Sequence, residues 1–304
     1  MILCTYAEGM NSLTDDACQR SKAAKASMRA QWNSAAAGWN AHAADIRAWL
    51  LGPTDAMCGL AGIRTGDRVL DVAAGAGDQT LAVAQRVGPQ GRVLATDLSP
   101  VILALARDHA ARAGFAHVDT RVADGENLGV PEGSFDAAVC RLGLMLFPDP
   151  LQGLREMHRA LRPGGGVCTV VFSRPEKNPC LTILMSTALK HVGLPARDPF
   201  AGGGLLSLSQ PGRIDDLFRS AGFGDVATIA LDAPFRLPSV DHYLAFVRSS
   251  ASPILQILGR LDAPAAEVAW SEMRERLGAF STDDGWVGPN ELLLTAGRRP
   301  KDST

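Results

Sequence analysis

Paired cysteines, tyrosine, charge of one sign and long apolar runs are all scarce in this sequence, and each scarcity removes a class of protein. The six cysteines (Cys4, Cys18, Cys58, Cys140, Cys168 and Cys180) contain no C-x-x-C pair and no tight cluster with histidine. Neither a zinc-ligand set nor a disulfide framework is therefore expected. Several lie in apolar runs and read as core thiols of a reducing compartment. After Met1-Ile2-Leu3-Cys4, the residues Glu8, Asn11, Asp15 and Asp16 intervene before an apolar stretch of ~7–15 residues could form, so no signal peptide is read. No window approaches the ~18 unbroken apolar residues of a membrane span. A cytoplasmic setting is the expectation. Thirty basic against 32 acidic side chains leave a formal charge of -2, which supplies no field to hold polyphosphate. Nucleic acid and anionic membrane surfaces are thus disfavoured as main partners, and a small-molecule substrate is favoured.

What is present is an ordinary globular composition, 46% hydrophobic and 20% charged, incompatible with disorder as the main state. The 304 residues are enough for one elaborated domain or two small ones, and no repeat of ~20–50 residues is apparent. Residues 1–27 show no apolar period and are expected to form a loosely ordered extension. From Met28 to about Leu60 the pattern turns helical, anchored by Trp32, Trp39, Ile46 and Trp49-Leu50-Leu51, with Gly52-Pro53 expected as a break. Short apolar runs then begin at Arg68, Gly91, Asp119, Phe135 and Gly166. Helical segments near 78–87, 100–113 and 151–161 separate them, so βαβ units and a parallel sheet covered on both faces follow. The proline- and glycine-bearing insert from Arg174 to Ser209 reads as a partly helical cap. A helix near 211–221, a strand near 225–231, helical sequence near 239–280 and a strand at Glu291–Ala296 complete the pattern.

The chemistry concentrates where strands end. The first strand ends in Asp71 and runs into Gly75-Ala76-Gly77, a turn at which backbone can approach a ligand. Asp97 ends the second strand, twenty positions after Gly77, where a carboxylate could accept from ribose hydroxyls. Asp124, followed by Gly125 and Glu126, ends the third and could accept from an adenine amine. Together these acids fit an adenosine without phosphates. A dinucleotide shares part of this pattern. However, position 80 is Thr, and Asp71 and Asp78 flank the loop, where they would repel pyrophosphate. S-adenosylmethionine, with its ammonium and sulfonium, suits such acids. A short-chain dehydrogenase needs Tyr-x-x-x-Lys, whereas the only tyrosines are Tyr6 and Tyr243, and Val247 follows the latter at that spacing. An NAD-dependent oxidoreductase is the weaker alternative.

The segments Val69–Asp78, Ala95–Pro100, Ala123–Leu128, Ser134–Asp136 and Arg159–Gly165 resemble class I S-adenosylmethionine-dependent methyltransferases, in particular the ubiquinone/menaquinone-biosynthesis-like small-molecule group. Order and spacing match over about residues 62–175, and Gln210-Pro211 through Ala221-Gly222-Phe223 resembles a later helix and turn of the family. The resemblance implies an α/β Rossmann-like, mostly parallel sheet with helices on both faces and a helical cap. A single methyltransferase domain would span 28–304, with its cofactor-binding core at about 62–175 and cap pieces at about 28–61, 174–209 and 232–285. It implies S-adenosylmethionine as methyl donor and S-adenosylhomocysteine as product. Asp71, Gly75 and Gly77 would surround the methionine part, Asp97 the ribose, Leu98 the adenine ring, and Asp124 with Gly125 and Glu126 the adenine amine. Ala73 stands where the family's first loop usually has glycine. Arg141 and Leu142 leave the fourth strand beside the expected methyl group, and Arg141 could serve cofactor or substrate.

Methyl transfer from sulfonium is an in-line displacement needing mainly positioning, water exclusion and sometimes one base. Candidate bases are His42, His242 and His191, whereas His158 reads as a sheet-packing residue. Cys140-Arg141-Leu142-Gly143 stands where amino-methylating nucleic-acid enzymes carry Asn/Asp-Pro-Pro-aromatic, and it offers no acids for the metal of catechol enzymes. No metal is expected. Trp39, Met145, Phe200 and Tyr243, among other apolar cap residues, could roof an apolar or aromatic acceptor. Two other readings remain: a non-catalytic regulatory or scaffold module that retains the adenosyl ligand, and a related fold turned to another reaction.

Overall fold

A computed structural model describes residues 23–301. The chain is helical from the first described residue to 41 (α1), so residues 23–27, expected as loose extension, are helix; residues 1–22 lie outside the described residues. Alanines 23, 24 and 26 explain the difference, because intrinsic propensity favours helix there without an apolar period. A turn at His42 separates α1 from α2 (Ala43–Leu60). The break expected at Gly52-Pro53 does not occur: α2 runs through Pro53, which is buried, and Thr54 donates its hydroxyl to the Leu50 carbonyl (2.6 Å).

Beyond α2 the alternation follows the sequence pattern: β1 (Arg68–Val72), α3 (Asp78–Val87), β2 (Arg92–Asp97), α4 (Pro100–Arg112), β3 (Val118–Val122), β4 (Phe135–Arg141), α5 (Pro150–Ala160) and β5 (Leu161–Phe172). After α6 (Pro179–His191) come α7 (Arg213–Ser220) and β6 (Gly224–Asp232), and β10 (Glu291–Arg298) closes the main sheet. Its order is β3-β2-β1-β4-β5-β10-β6. Strands β1 to β5 pair in parallel, and β10 lies antiparallel between β5 and β6. Helices α2, α3 and α4 form one covering layer, and α5 with α7 forms another against β5, β6 and β10. Central strand β1 is buried from Val69 to Val72, as a strand covered on both faces must be.

Helix starts are legible in the side chains. Ser99, Asp149, Ser239 and Asp262 each accept the N–H three residues on, satisfying a donor that the helix leaves unpaired.

The cap has its own apolar core, formed by α6, α8 (Val240–Ser250), α9 (Ser252–Leu258) and α10 (Ala263–Leu277). It also contains a three-stranded antiparallel sheet, β7 (Phe235–Leu237), β9 (Gly285–Gly288) and β8 (Ser281–Thr282), which the helical expectation did not include. Strands of two to four residues are too short to display alternation. Trp49 joins the two cores, stacked on Phe235 (4.7 Å between centroids) and Phe172 (6.2 Å), with its indole N–H donated to the Ala233 carbonyl (2.7 Å).

Candidate functional site

The chain order reverses between β1 and β4, and a crevice opens there at the carboxyl ends of the strands, as in other open α/β sheets. The crevice holds a cavity of about 140 Å³, bordered by Ala73, Gly75, Asp97, Leu98, Asp124, Gly125, Glu126, Arg141 and Leu142. Those nine residues, chosen on three successive strand ends and the fourth, converge as the sequence indicated. Asp71 and Gly77 do not reach the cavity. Asp71 is completely buried and accepts from Gln79 Nε2 (2.5 Å) and Thr80 Oγ1 (2.6 Å), tying the first turn of α3 to β1. Burial pushes its pKa up to about 6, against the lowering effect of those two bonds. Gly77 is needed for packing, since a Cβ there would meet Ala106 at 2.8 Å.

The loop after β1 is held by the protein itself. The Gly75 N–H donates to Asp97 Oδ2 (3.0 Å), and the Ser99 N–H donates to Asp97 Oδ1 (2.9 Å). Burial raises the Asp97 pKa, and its backbone donors oppose the rise. Ala73 and Leu142 adopt left-handed backbone, φ 55° and 58°, and both border the cavity. A Cβ on Gly143 would lie 2.5 Å from the Ala73 methyl, so Ala73 takes the space that Gly143 leaves. Gly125 has a similar reason, because Phe147 packs where its Cβ would be.

At the other end of the cavity Asp78, in the first turn of α3, accepts from Arg141 Nη2 (2.8 Å) and Arg47 Nε (2.9 Å). Arg141 is buried and also donates to Thr54 Oγ1 (2.5 Å). This cluster of one carboxylate and two guanidiniums can pair with a zwitterion. The Gly75 N–H, which a phosphate would use, is already donated to Asp97. Sequence reasoning noted Asp78 only as a repellent charge and missed Arg47. It also missed Lys25, whose Nζ lies 2.6 Å from Asp124 Oδ2 and 2.6 Å from Glu126 Oε2. Burial disfavours the Lys25 charge, but its two partners outweigh this and raise its pKa.

A second cavity, of about 220 Å³, lies between the core and the cap. Met28, Trp32, Trp39, Leu142 and Leu146 border both cavities. Trp39, Met145 and Tyr243 line the second one as expected, with Trp49, Phe172, Phe235 and Phe246, whereas Phe200 borders neither cavity. No Asp, Glu, Lys, Arg or His is among its described lining residues. Burial lifts the Tyr243 pKa well above its ordinary value, so its phenol stays protonated.

All three candidate bases stand elsewhere. His42 stands at the N-terminal boundary of α2 without a side-chain capping bond, 3.4 Å from Asp45 Oδ2 and edge-on to Phe246, and borders neither cavity. His242 is exposed in the first turn of α8, its Nδ1 beside Ser239 Oγ (3.1 Å). His191 pairs with Glu272 (2.8 Å). His158, read as a sheet-packing residue, packs edge-on against Phe223 and beside Gly222, in the turn between α7 and β6. His42 does share a face with Trp39, and both rings pack on Phe246 (5.4 and 5.6 Å between centroids), but of the two only Trp39 borders the cavities. The described residues contain no group of three His, Cys, Asp or Glu side chains able to hold a metal. No described helix is long and apolar enough to cross a membrane.

Residues 49–192 match the ubiE/COQ5 methyltransferase family, a wider stretch than the motif-bearing segment 62–175. The chain is similar to the ubiquinone/menaquinone biosynthesis C-methyltransferase of Teredinibacter turnerae, 38% identical over 120 residues that make up 39% of this chain and 48% of that protein. It thus spans about half the length of the curated relatives it matches. The YcgJ protein of Bacillus subtilis shares the fold at 20% identity, with a TM-score of 0.54 over 82% of this chain and 98% of that one. The [4+2]-cyclase SpnF shares it at 22% identity, with a TM-score of 0.51 over 82% of this chain and 80% of that one. The resemblance read from the motifs therefore holds, and the Rossmann-like fold is common to these structures.

Proposed function

We propose that this protein transfers the methyl group of S-adenosylmethionine to a small, uncharged, apolar or aromatic acceptor, without a metal. The observation that carries the reading is the pair of cavities with a common wall, one edged by strand-end carboxylates and the other apolar. The donor set fits the adenosyl group: Asp97 for the ribose hydroxyls, Leu98 against adenine, Asp124 and Glu126 for its amine. Asp78 suits the α-ammonium of the methionine part, and Arg141 with Arg47 suits its carboxylate. When bound, the sulfonium supplies a methyl carbon open to in-line displacement.

The chain's own contribution is placement and dryness. Trp39, Leu142 and Leu146 stand between the two cavities and would keep water from the reacting atoms. The charge-free lining beyond them would penalise a charged acceptor by desolvation. Because neither cavity is lined by His42, His242 or His191, we assign the role of base to none of the three. The four described cysteines, Cys58, Cys140, Cys168 and Cys180, are free and buried, in keeping with a reducing, cytoplasmic setting. The same fold in a [4+2]-cyclase makes the reaction itself the point to test.

Calorimetry with S-adenosylhomocysteine and with NAD tests the ligand. Binding of the first and not the second is expected. Asp97→Ala should weaken it at least tenfold, since two hydrogen bonds to a carboxylate are worth about 1.5–3 kcal/mol each. Unchanged affinity would refute the ribose assignment. Release of S-adenosylhomocysteine during an acceptor screen separates an enzyme from a binding module.

A further inference from the structure

Each oxygen of the two carboxylates that would receive the adenine amine already has a partner within the protein. Asp124 Oδ1 accepts the Glu126 N–H (2.9 Å), and Asp124 Oδ2 accepts from Lys25 Nζ (2.6 Å). Glu126 Oε1 accepts the Asp149 N–H (2.8 Å), and Glu126 Oε2 is paired with Lys25 (2.6 Å). Backbone donors hold the inner oxygens, and only the Lys25 ammonium can leave without unfolding a loop. Lys25 borders the cofactor cavity and is about one-fifth exposed, so it can swing outward to solvent.

Lys25 also belongs to a wall. Lys25, Met28, Trp32 and Trp39 recur at i, i+3, i+7 and i+14, on one face of α1, and all four border the cofactor cavity. Met28, Trp32 and Trp39 border the acceptor cavity too. Near its middle α1 is held by Ser99 Oγ on Asn33 Oδ1 (2.6 Å), and near its end by Gly38, where a Cβ would collide with the Ser249 carbonyl oxygen. In its first described turn, Lys25 makes the link to the segment that follows β3.

Resting on the reading above, we propose that Lys25 is a built-in competitor for the adenine-amine subsite. Its ammonium sits on the Asp124–Glu126 pair and withdraws when the adenosyl group takes that place. The amine takes over one hydrogen bond and the Lys25 charge goes to water. The same exchange removes the Lys25 link between the segment after β3 and the helix that walls both cavities, so loading the cofactor loosens the boundary the acceptor must pass.

The test is calorimetry with S-adenosylhomocysteine on the full chain, as wild type, Lys25→Met and Lys25→Arg. Lys25→Met should bind about fivefold more tightly, the equivalent of one or two part-exposed ion pairs no longer broken. Lys25→Arg, which keeps the competitor, should bind no better than wild type. Raising salt should tighten wild-type binding towards the Lys25→Met value and leave that variant unchanged. Equal or weaker binding by Lys25→Met would overturn the proposal and make Lys25 a bystander or a clamp. If all three chains bind equally, the competitor fails while the S-adenosyl reading stands. If none binds, both fall.

Discussion

Replacing Asp71 by asparagine separates a structural acid from a ligand-binding one. The carboxylate is fully buried, bonded to Gln79 and Thr80, and outside the cofactor cavity. Its pKa rises from 3.8 in an ordinary setting to about 6 in the folded protein. Below 3.8 it is neutral in both states and costs nothing. As pH rises towards 6 the unfolded chain ionises first, so stability falls through that window and is level above it. The gap corresponds to about 3 kcal/mol. The amide that replaces the carboxylate keeps an oxygen for Thr80, and Gln79 can turn its own oxygen to the new NH2. We expect urea midpoints for wild type and Asp71→Asn to diverge across this window, wild type losing about 3 kcal/mol relative to the variant. Affinity for S-adenosylhomocysteine should change by no more than about threefold. Parallel pH curves would refute the burial argument, and a tenfold loss of affinity would return Asp71 to the ligand.

Other outcomes follow from the same geometry. Ala73→Gly relieves left-handed backbone at φ 55° and should add about 0.5–1 kcal/mol to stability; a lower melting midpoint would mean that the methyl packed on Gly143 outweighs the strain. With any acceptor from the screen, His42→Ala and His242→Ala should keep turnover and its pH profile within about threefold, whereas loss of a general base costs about 10²–10⁴-fold. A drop of that size in either variant would restore it as the base.

The sequence alone determined the sheet and its ligand edge. Alternating apolar runs and acids at strand ends are local signals, and in a parallel sheet all strand ends of one kind meet at the same edge. Asp97 and Asp124 were therefore placed by counting. Spacing could not separate Asp71 from them, because one residue of register turns a side chain from the crevice to the interior. Only the tertiary structure decided that, and it decided the cap. Trp39, Met145 and Tyr243 meet at one cavity from segments far apart in the chain, while Phe200 and His242, equally apolar or titratable on paper, turn elsewhere. The pairing of Lys25 with Asp124 spans 99 positions, and an alanine-rich stretch gives no local sign of its partner. Strand ends are set by short-range pattern; the wall between two cavities is set by which helix packs across them.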